Sequence, residues 1–164
     1  MDSNFNKIRA EVYDRCNFEI SNYSIESESQ EYAASRFELN GRKIRYRNAK
    51  VTPKKIGQFV TYWKRNSNGI TEPLQETDEI DFYVITACFN NQFGQFVFPK
   101  SILIKKGIIS SETKQGKRGF RVYPIWDKVT SKQAKKTQDW QLKYFYLCNE
   151  HTNLKEVNKL FCAR

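Results

Sequence analysis

A chain of 164 residues, 39% of them hydrophobic and 15% aromatic, with a mean hydropathy of −0.73, is long enough to bury one core and too rich in core-forming side chains for a disordered segment. No apolar run approaches the ~18 residues a membrane-crossing helix needs, and charged residues occupy the first 16 positions where a secretory leader would be apolar, so no membrane partner and a cytoplasmic location are expected. Lys and Arg number 28 against 18 acidic residues, and the net charge of +10 exceeds what solubility requires and points to a polyanionic partner.

The first predicted element is an amphipathic helix over 4–16, with Phe5, Ile8, Val12 and Cys16 at helical spacing, followed by a polar, acidic connection through Gln30. Asn40-Gly41 between alternating runs is a hairpin signal. A two-residue type I′ turn there makes partner numbers sum to 81. Phe37 then meets Ile44, Leu39 meets Arg42 and Ser35 meets Tyr46 on the apolar face, while Glu38 opposes Lys43 and Arg36 opposes Arg45 on the other. Carried further, the register sets Ala33 against Asn48 and Glu31 against Lys50.

Thr52 as cap, Pro53 at the first position and Ile56, Phe59, Val60 and Trp63 at i, i+3, i+4, i+7 predict a second helix ending before Asn66. Lys54 and Lys55 in its first turn are disfavoured by about 0.3–1 kcal/mol each, because a helix N-terminus is already positive. Lys50, Thr52, Lys54, Lys55 and the free amides therefore read as an anion site, with Arg45 and Arg47 extending the basic surface around a strand edge.

A linker through Asp78 leads to a strand over 80–89 buried on both faces, a return at Asn90-Asn91 into Gly94–Phe98, and a short helix over 99–106 stopped by Gly107. Residues 110–119 read as a mobile polar loop before a strand, Phe120–Tyr123, that ends at Pro124. A long helix over 130–149 presents Lys132, Lys136 and Lys143 outward, and a last helix begins at Asn153 with Leu154, Val157, Leu160 and Phe161 inward. Around the loop and the late helix, Lys114, Lys117, Arg118, Arg121, Lys132, Lys135 and Lys136 form a second basic group. The order predicts one α/β (α+β) domain over 1–164, a mixed sheet flanked by helices.

The four cysteines show no CxxC pairing and read as reduced thiols. Cys148, His151 and Cys162 lack a fourth ligand nearby, so no zinc site is expected.

The stretches Ser29-Gln30-Glu31-Tyr32, Ala49-Lys50-Val51-Thr52-Pro53, Gly57-Gln58-Phe59-Val60, Trp63-Lys64-Arg65, Phe93-Gly94-Gln95-Phe96, Phe98-Pro99-Lys100-Ser101, Gly116-Lys117-Arg118, Arg121-Val122-Tyr123-Pro124 and Thr130-Ser131-Lys132-Gln133-Ala134 resemble the MepB family of small bacterial proteins. The resemblance implies a restriction-endonuclease-like core with nucleic acid as partner. Nucleases of that fold pair an acid with an acid-x-Lys motif, so that two carboxylates hold Mg²⁺ while lysine faces the phosphate. Here the matching segment is Asn48-Ala49-Lys50, with a neutral amide where the acid belongs.

The reading is therefore a DNA- or RNA-binding protein that contacts the phosphate backbone without sequence specificity, catalysis or cofactor. One alternative is a Mg²⁺- or Mn²⁺-dependent nuclease using Glu31, Lys50 and a relocated acid, Asp81. The other is an adaptor for a protein or small molecule.

Overall fold

The computed structural model describes residues 1–162. Asp2 caps the first helix, α1 (Ser3–Ile8), which continues as a π-turn over Arg9–Tyr13 and buries Phe5, Ile8 and Val12 as its spacing predicts, with Tyr13 beside them, whereas Cys16 lies beyond the helix in a turn and is only half-buried. Six strands form the main sheet: β1 (Ile20–Ile25), β2 (Ser35–Leu39), β3 (Arg42–Asn48), β8 (Phe82–Phe89), β9 (Gln92–Pro99) and β11 (Phe145–Leu147), in that spatial order. It is mixed, because β3 and β8 run parallel while its other neighbours are antiparallel.

The hairpin register is the expected one, from Ser35 opposite Tyr46 to Leu39 opposite Arg42, with Asn40 and Gly41 both at positive φ as a type I′ turn demands. Its extension does not hold. Ser29 and Ala33 adopt φ near +56 and +50 and bracket a 3₁₀ turn over Gln30–Tyr32, which turns Glu31 outward, while Asn48 pairs with Thr86 and Lys50 with Phe59.

The predicted second helix is absent. Residues 50–65 form β4 (Lys50–Thr52), β5 (Lys55–Thr61) and β6 (Trp63–Arg65), with Pro53 and Lys54 at the β4–β5 turn. The apolar positions fit a 3.6 period, yet the burial follows a period of two, with Gln58, Val60 and Tyr62 at 2%, 0% and 0% exposure. A β-branched and aromatic run packs better on a pleated surface than around a helix, and Gly57 at φ +88, with Tyr123 packed against it, suits a strand irregularity. β4 and β5 join β10 (Gly119–Val122) in a second sheet ordered β10-β5-β4, and β6 pairs with β7 (Thr71–Pro73).

The main sheet thus has a core on each face. On one face α1 and α4 (Leu154–Cys162) cover Phe37, Ile44, Tyr46, Phe82, Val84 and Val97. On the other, the small sheet and α2 (Lys100–Lys105) cover Tyr83, Ile85, Phe96 and Phe98, and Tyr62 stacks on Tyr83 with ring centroids 3.8 Å apart. Strand alternation assigns Phe82 and Val84 to the first core and Tyr83 and Ile85 to the second, as a strand buried on both faces requires. Each such side chain contributes roughly 1.5–3 kcal/mol on burial.

The predicted long late helix also divides. α3 (Lys132–Gln141) ends in a 3₁₀ turn, and Phe145–Leu147 becomes the edge strand beside β9. Gly94 makes this possible, because a Cβ there would collide with the Phe145 ring. No helix among the described residues is long and apolar enough to cross a membrane. The four cysteines are free, and burial together with the Glu11 carboxylate pushes the Cys148 thiol up to about 12.

Candidate nucleic-acid interface

Without the second helix there is no cluster of free amides beside Lys50, and the basic residues assigned to it separate. Lys54 and Lys55 stand exposed at the β4–β5 turn, and Lys50 rests 4.7 Å over the Tyr32 ring. Arg45 and Arg47 do not extend a basic surface. They lie on the face of β3 that the small sheet covers and close on the carboxylate of Glu26, with Arg47 only 2% exposed. Burial, partly offset by Glu26, holds Arg45 below the ordinary guanidinium value, which still leaves it charged.

The nuclease constellation is not assembled either. Glu31 projects into solvent, and no ion pair joins it to Lys50 among the described residues. Asp81 accepts from the Lys43 amide at 2.8 Å before β8 begins, five residues and roughly 16 Å of strand from Thr86, the partner of Asn48. The acid beside Asn48 is instead Asp2, whose carboxylate accepts from Asn48 Nδ2 at 2.9 Å and from the Phe5 amide at 3.1 Å. Sequence reasoning missed Asp2 because nothing local connects positions 2 and 48. No group of three or more His, Cys, Asp or Glu among the described residues is placed to hold a metal ion.

Two members of the second basic group, Lys117 and Arg121, line one cleft. Between β10 and α3 lies a cleft of about 340 Å³, lined by Lys106, Lys117, Arg121, Phe120, Tyr123 and Trp140, with Ser131 and Gln133 of the α3 start. No carboxylate among the described residues lines it. Each cation is placed by a different element. Lys106 ends α2 and sits 5.5 Å over the Trp140 ring. Lys117 is held where the 110–119 loop returns, its amide donating to the Ile108 carbonyl at 2.9 Å. Arg121 lies on β10 and donates from Nη2 to Thr52 Oγ1 at 2.7 Å and from Nη1 to the carbonyl of Gly57 at 3.3 Å, so Thr52 positions a cation rather than capping a helix.

Buried Gln141 fixes the cleft's shape. Its Oε1 accepts from the Tyr123 amide and its Nε2 donates to the Arg121 carbonyl, both at 2.9 Å, so a side chain on α3 satisfies the edge of β10 as another strand would. Ser131 caps α3 through the Ala134 amide at 3.1 Å, and the first turn contains Lys132 and no acid. Lys132, Lys135 and Lys136 are all exposed there. Arg118 turns away, its guanidinium donating to the Thr71 carbonyl at 2.9 Å and so pinning the β6–β7 ribbon. A positive groove lined by aromatic rings and by no carboxylate of the described residues has the chemistry to attract oxyanions and repel cations.

A family model described as MepB-like matches residues 26–147. The crystal structure of MepB superposes with a TM-score of 0.79 at 31% identity, covering 91% of this chain and 99% of that one. The structure of a bacterial homing endonuclease aligns over 85% of this chain and 86% of its own at 13% identity, but with a TM-score of 0.47, too slight a likeness to bear on chemistry. No curated protein matches the chain. The family match spans both the hairpin and the cleft, and with the MepB likeness running nearly end to end, the chain belongs to the MepB-like family.

Proposed function

We propose that the protein binds nucleic acid through its phosphate backbone, without sequence specificity and without catalysis, in the cleft between β10 and α3. The observation that carries this reading is that Lys106, Lys117 and Arg121 line one groove with no carboxylate of the described residues beside them. The start of α3 adds to it. Lys132 at the first helical position opposes the helix dipole at a cost of about 0.3–1 kcal/mol, and a phosphate bound there offsets that cost. The exposed amines of Lys135 and Lys136 continue the same positive face. A net charge of +10 draws a polyanion toward this surface. Contacts of this kind fix position on a backbone and read no bases.

Fluorescence anisotropy with labelled duplex and single-stranded oligonucleotides tests the reading. Binding is expected at low ionic strength, with log K falling against log salt at a slope of about −5 on duplex if six phosphates are neutralised. Charge reversal at Lys106 and Lys117 together is expected to weaken binding by roughly 10–100-fold and to flatten the slope by about 2. Plasmid incubated with the protein and Mn²⁺ is expected to remain intact. Salt-insensitive binding, or a doubly reversed variant equal to wild type, overturns the proposal.

A further inference from the structure

The groove between β10 and α3 offers a ligand more than charge. Tyr123 and Trp140, two of the three rings that line it, are only partly buried. Both are held in place by other elements. Tyr123 packs on the bare backbone of Gly57, where a Cβ would lie 2.7 Å from its ring, and Trp140 packs on Phe98 with ring centroids 5.4 Å apart. A ring already fixed in this way loses little freedom when a ligand stacks on it.

The cations that share the groove are uncompensated. No ion pair among the described residues involves Lys106, Lys117 or Arg121. Arg121 donates to neutral oxygens, Thr52 Oγ1 and the Gly57 carbonyl, which hold the guanidinium without cancelling its charge. The Lys106 ammonium, 5.5 Å from the centre of the Trp140 ring, brings a positive charge and an aromatic surface within reach of one ligand.

Volume limits what enters. About 340 Å³ stands at the small end of the roughly 300–1,000 Å³ of small-molecule clefts, room for a nucleotide unit and not for a duplex. In a duplex the base faces are also stacked on one another, so a protein ring meets them only after a base has been unpaired and drawn out of the stack. In an unpaired strand those faces are free, and a positive groove combined with aromatic side chains is the arrangement that holds one.

We infer that the groove takes a single-stranded nucleic acid, a base stacking on Tyr123 or Trp140 while Lys106, Lys117 and Arg121 hold the phosphates beside it. This rests on the backbone-binding reading of the same groove and narrows its ligand to the unpaired strand. Sequence specificity is still not required, because every base has a π-face.

Anisotropy of the full chain with three labelled ligands of one length, at one salt concentration, tests the inference. The ligands are oligothymidylate, a blunt duplex, and an abasic deoxyribose-phosphate strand that keeps the charges of the first without its bases. Oligothymidylate is expected to bind roughly tenfold or more tighter than either of the others, the contribution of one stacked base. Unlabelled oligothymidylate is expected to quench tryptophan emission. Trp140→Phe, which keeps a ring against Phe98, is expected to remain folded by circular dichroism and to lose that quenching, since Trp63 and Trp126 do not line the groove. The comparison of the three ligands uses the wild-type chain and does not depend on the variant. A duplex or an abasic strand bound as tightly as oligothymidylate overturns the inference and leaves the backbone-binding reading standing, as does quenching that persists unchanged in Trp140→Phe. Binding of none of the three overturns both.

Discussion

The molecule carries two positive regions built by opposite means. In the groove between β10 and α3 the charges sit mostly on lysines at the surface, no carboxylate of the described residues lines the space, and water screens the amines from one another. In the cleft around Glu26 the charges sit on arginines, two of them largely buried, and a carboxylate is built into the fold to hold them together. The first arrangement is free to exchange its counterions for a ligand and contributes little to folding. The second is a structural joint between β1, β2 and β3 whose positive excess remains after folding. A count of basic residues treats the two alike, whereas burial and partner choice separate a surface left open to solvent from one that holds the fold together.

The largest effect that sharpens this contrast is removal of the joint's only carboxylate. Glu26→Ala leaves the Arg45 and Arg47 charges with no counter-charge and is expected to destabilise the protein by roughly 3–5 kcal/mol in urea denaturation. A variant as stable as wild type breaks the distinction between the two regions.

Next in size is the clamp that forms the groove. Gln141→Ala strips a partner from the Tyr123 amide and the Arg121 carbonyl and is expected to cost about 2–4 kcal/mol, with nucleic-acid affinity falling alongside because α3 no longer closes on β10. The smallest effect separates stability from binding. Lys132→Glu places an acid where the helix dipole favours one and is expected to stabilise by about 0.3–1 kcal/mol while weakening nucleic-acid binding in the anisotropy assay. A change of the same sign in both measurements breaks the assignment of α3 to the ligand surface.

Much of the fold was legible in short-range pattern. Asn40-Gly41 set the β2–β3 register because a type I′ turn admits one pairing and the alternation of Phe37, Leu39, Ile44 and Tyr46 agrees with it. The apolar run 80–89 announced a central strand because only such a strand is buried on both faces. The segment 50–65 misled because Ile56, Phe59, Val60 and Trp63 satisfy a helical period while the β-branched and aromatic composition between them favours strands. Residues 145–147 misled because an aromatic run continues a helical pattern as readily as it forms an edge strand, and Gly94 on another strand decided between them.

Of the candidate sites, Lys117 and Arg121 were visible as part of a basic group, but the cleft they share with Lys106 and the bond from Arg121 to Thr52 were not, since each comes from a separate element. Arg45 and Arg47 read as surface because a charged residue on an alternating strand normally faces water. Their burial follows from a second sheet that covers that face and that a helical reading of 50–65 could not supply.

By itself the sequence determined what depends on near neighbours: the α1 stripe, the hairpin and its register, the two-faced strand, the glycine stops and the excess of positive charge. Only the tertiary structure decided which of those charges meet carboxylates and which face open grooves. Charge is a property of each residue, but its partners and its dielectric surroundings are set by segments far away in the chain, as Glu26 with Arg47 and Thr52 with Arg121 show.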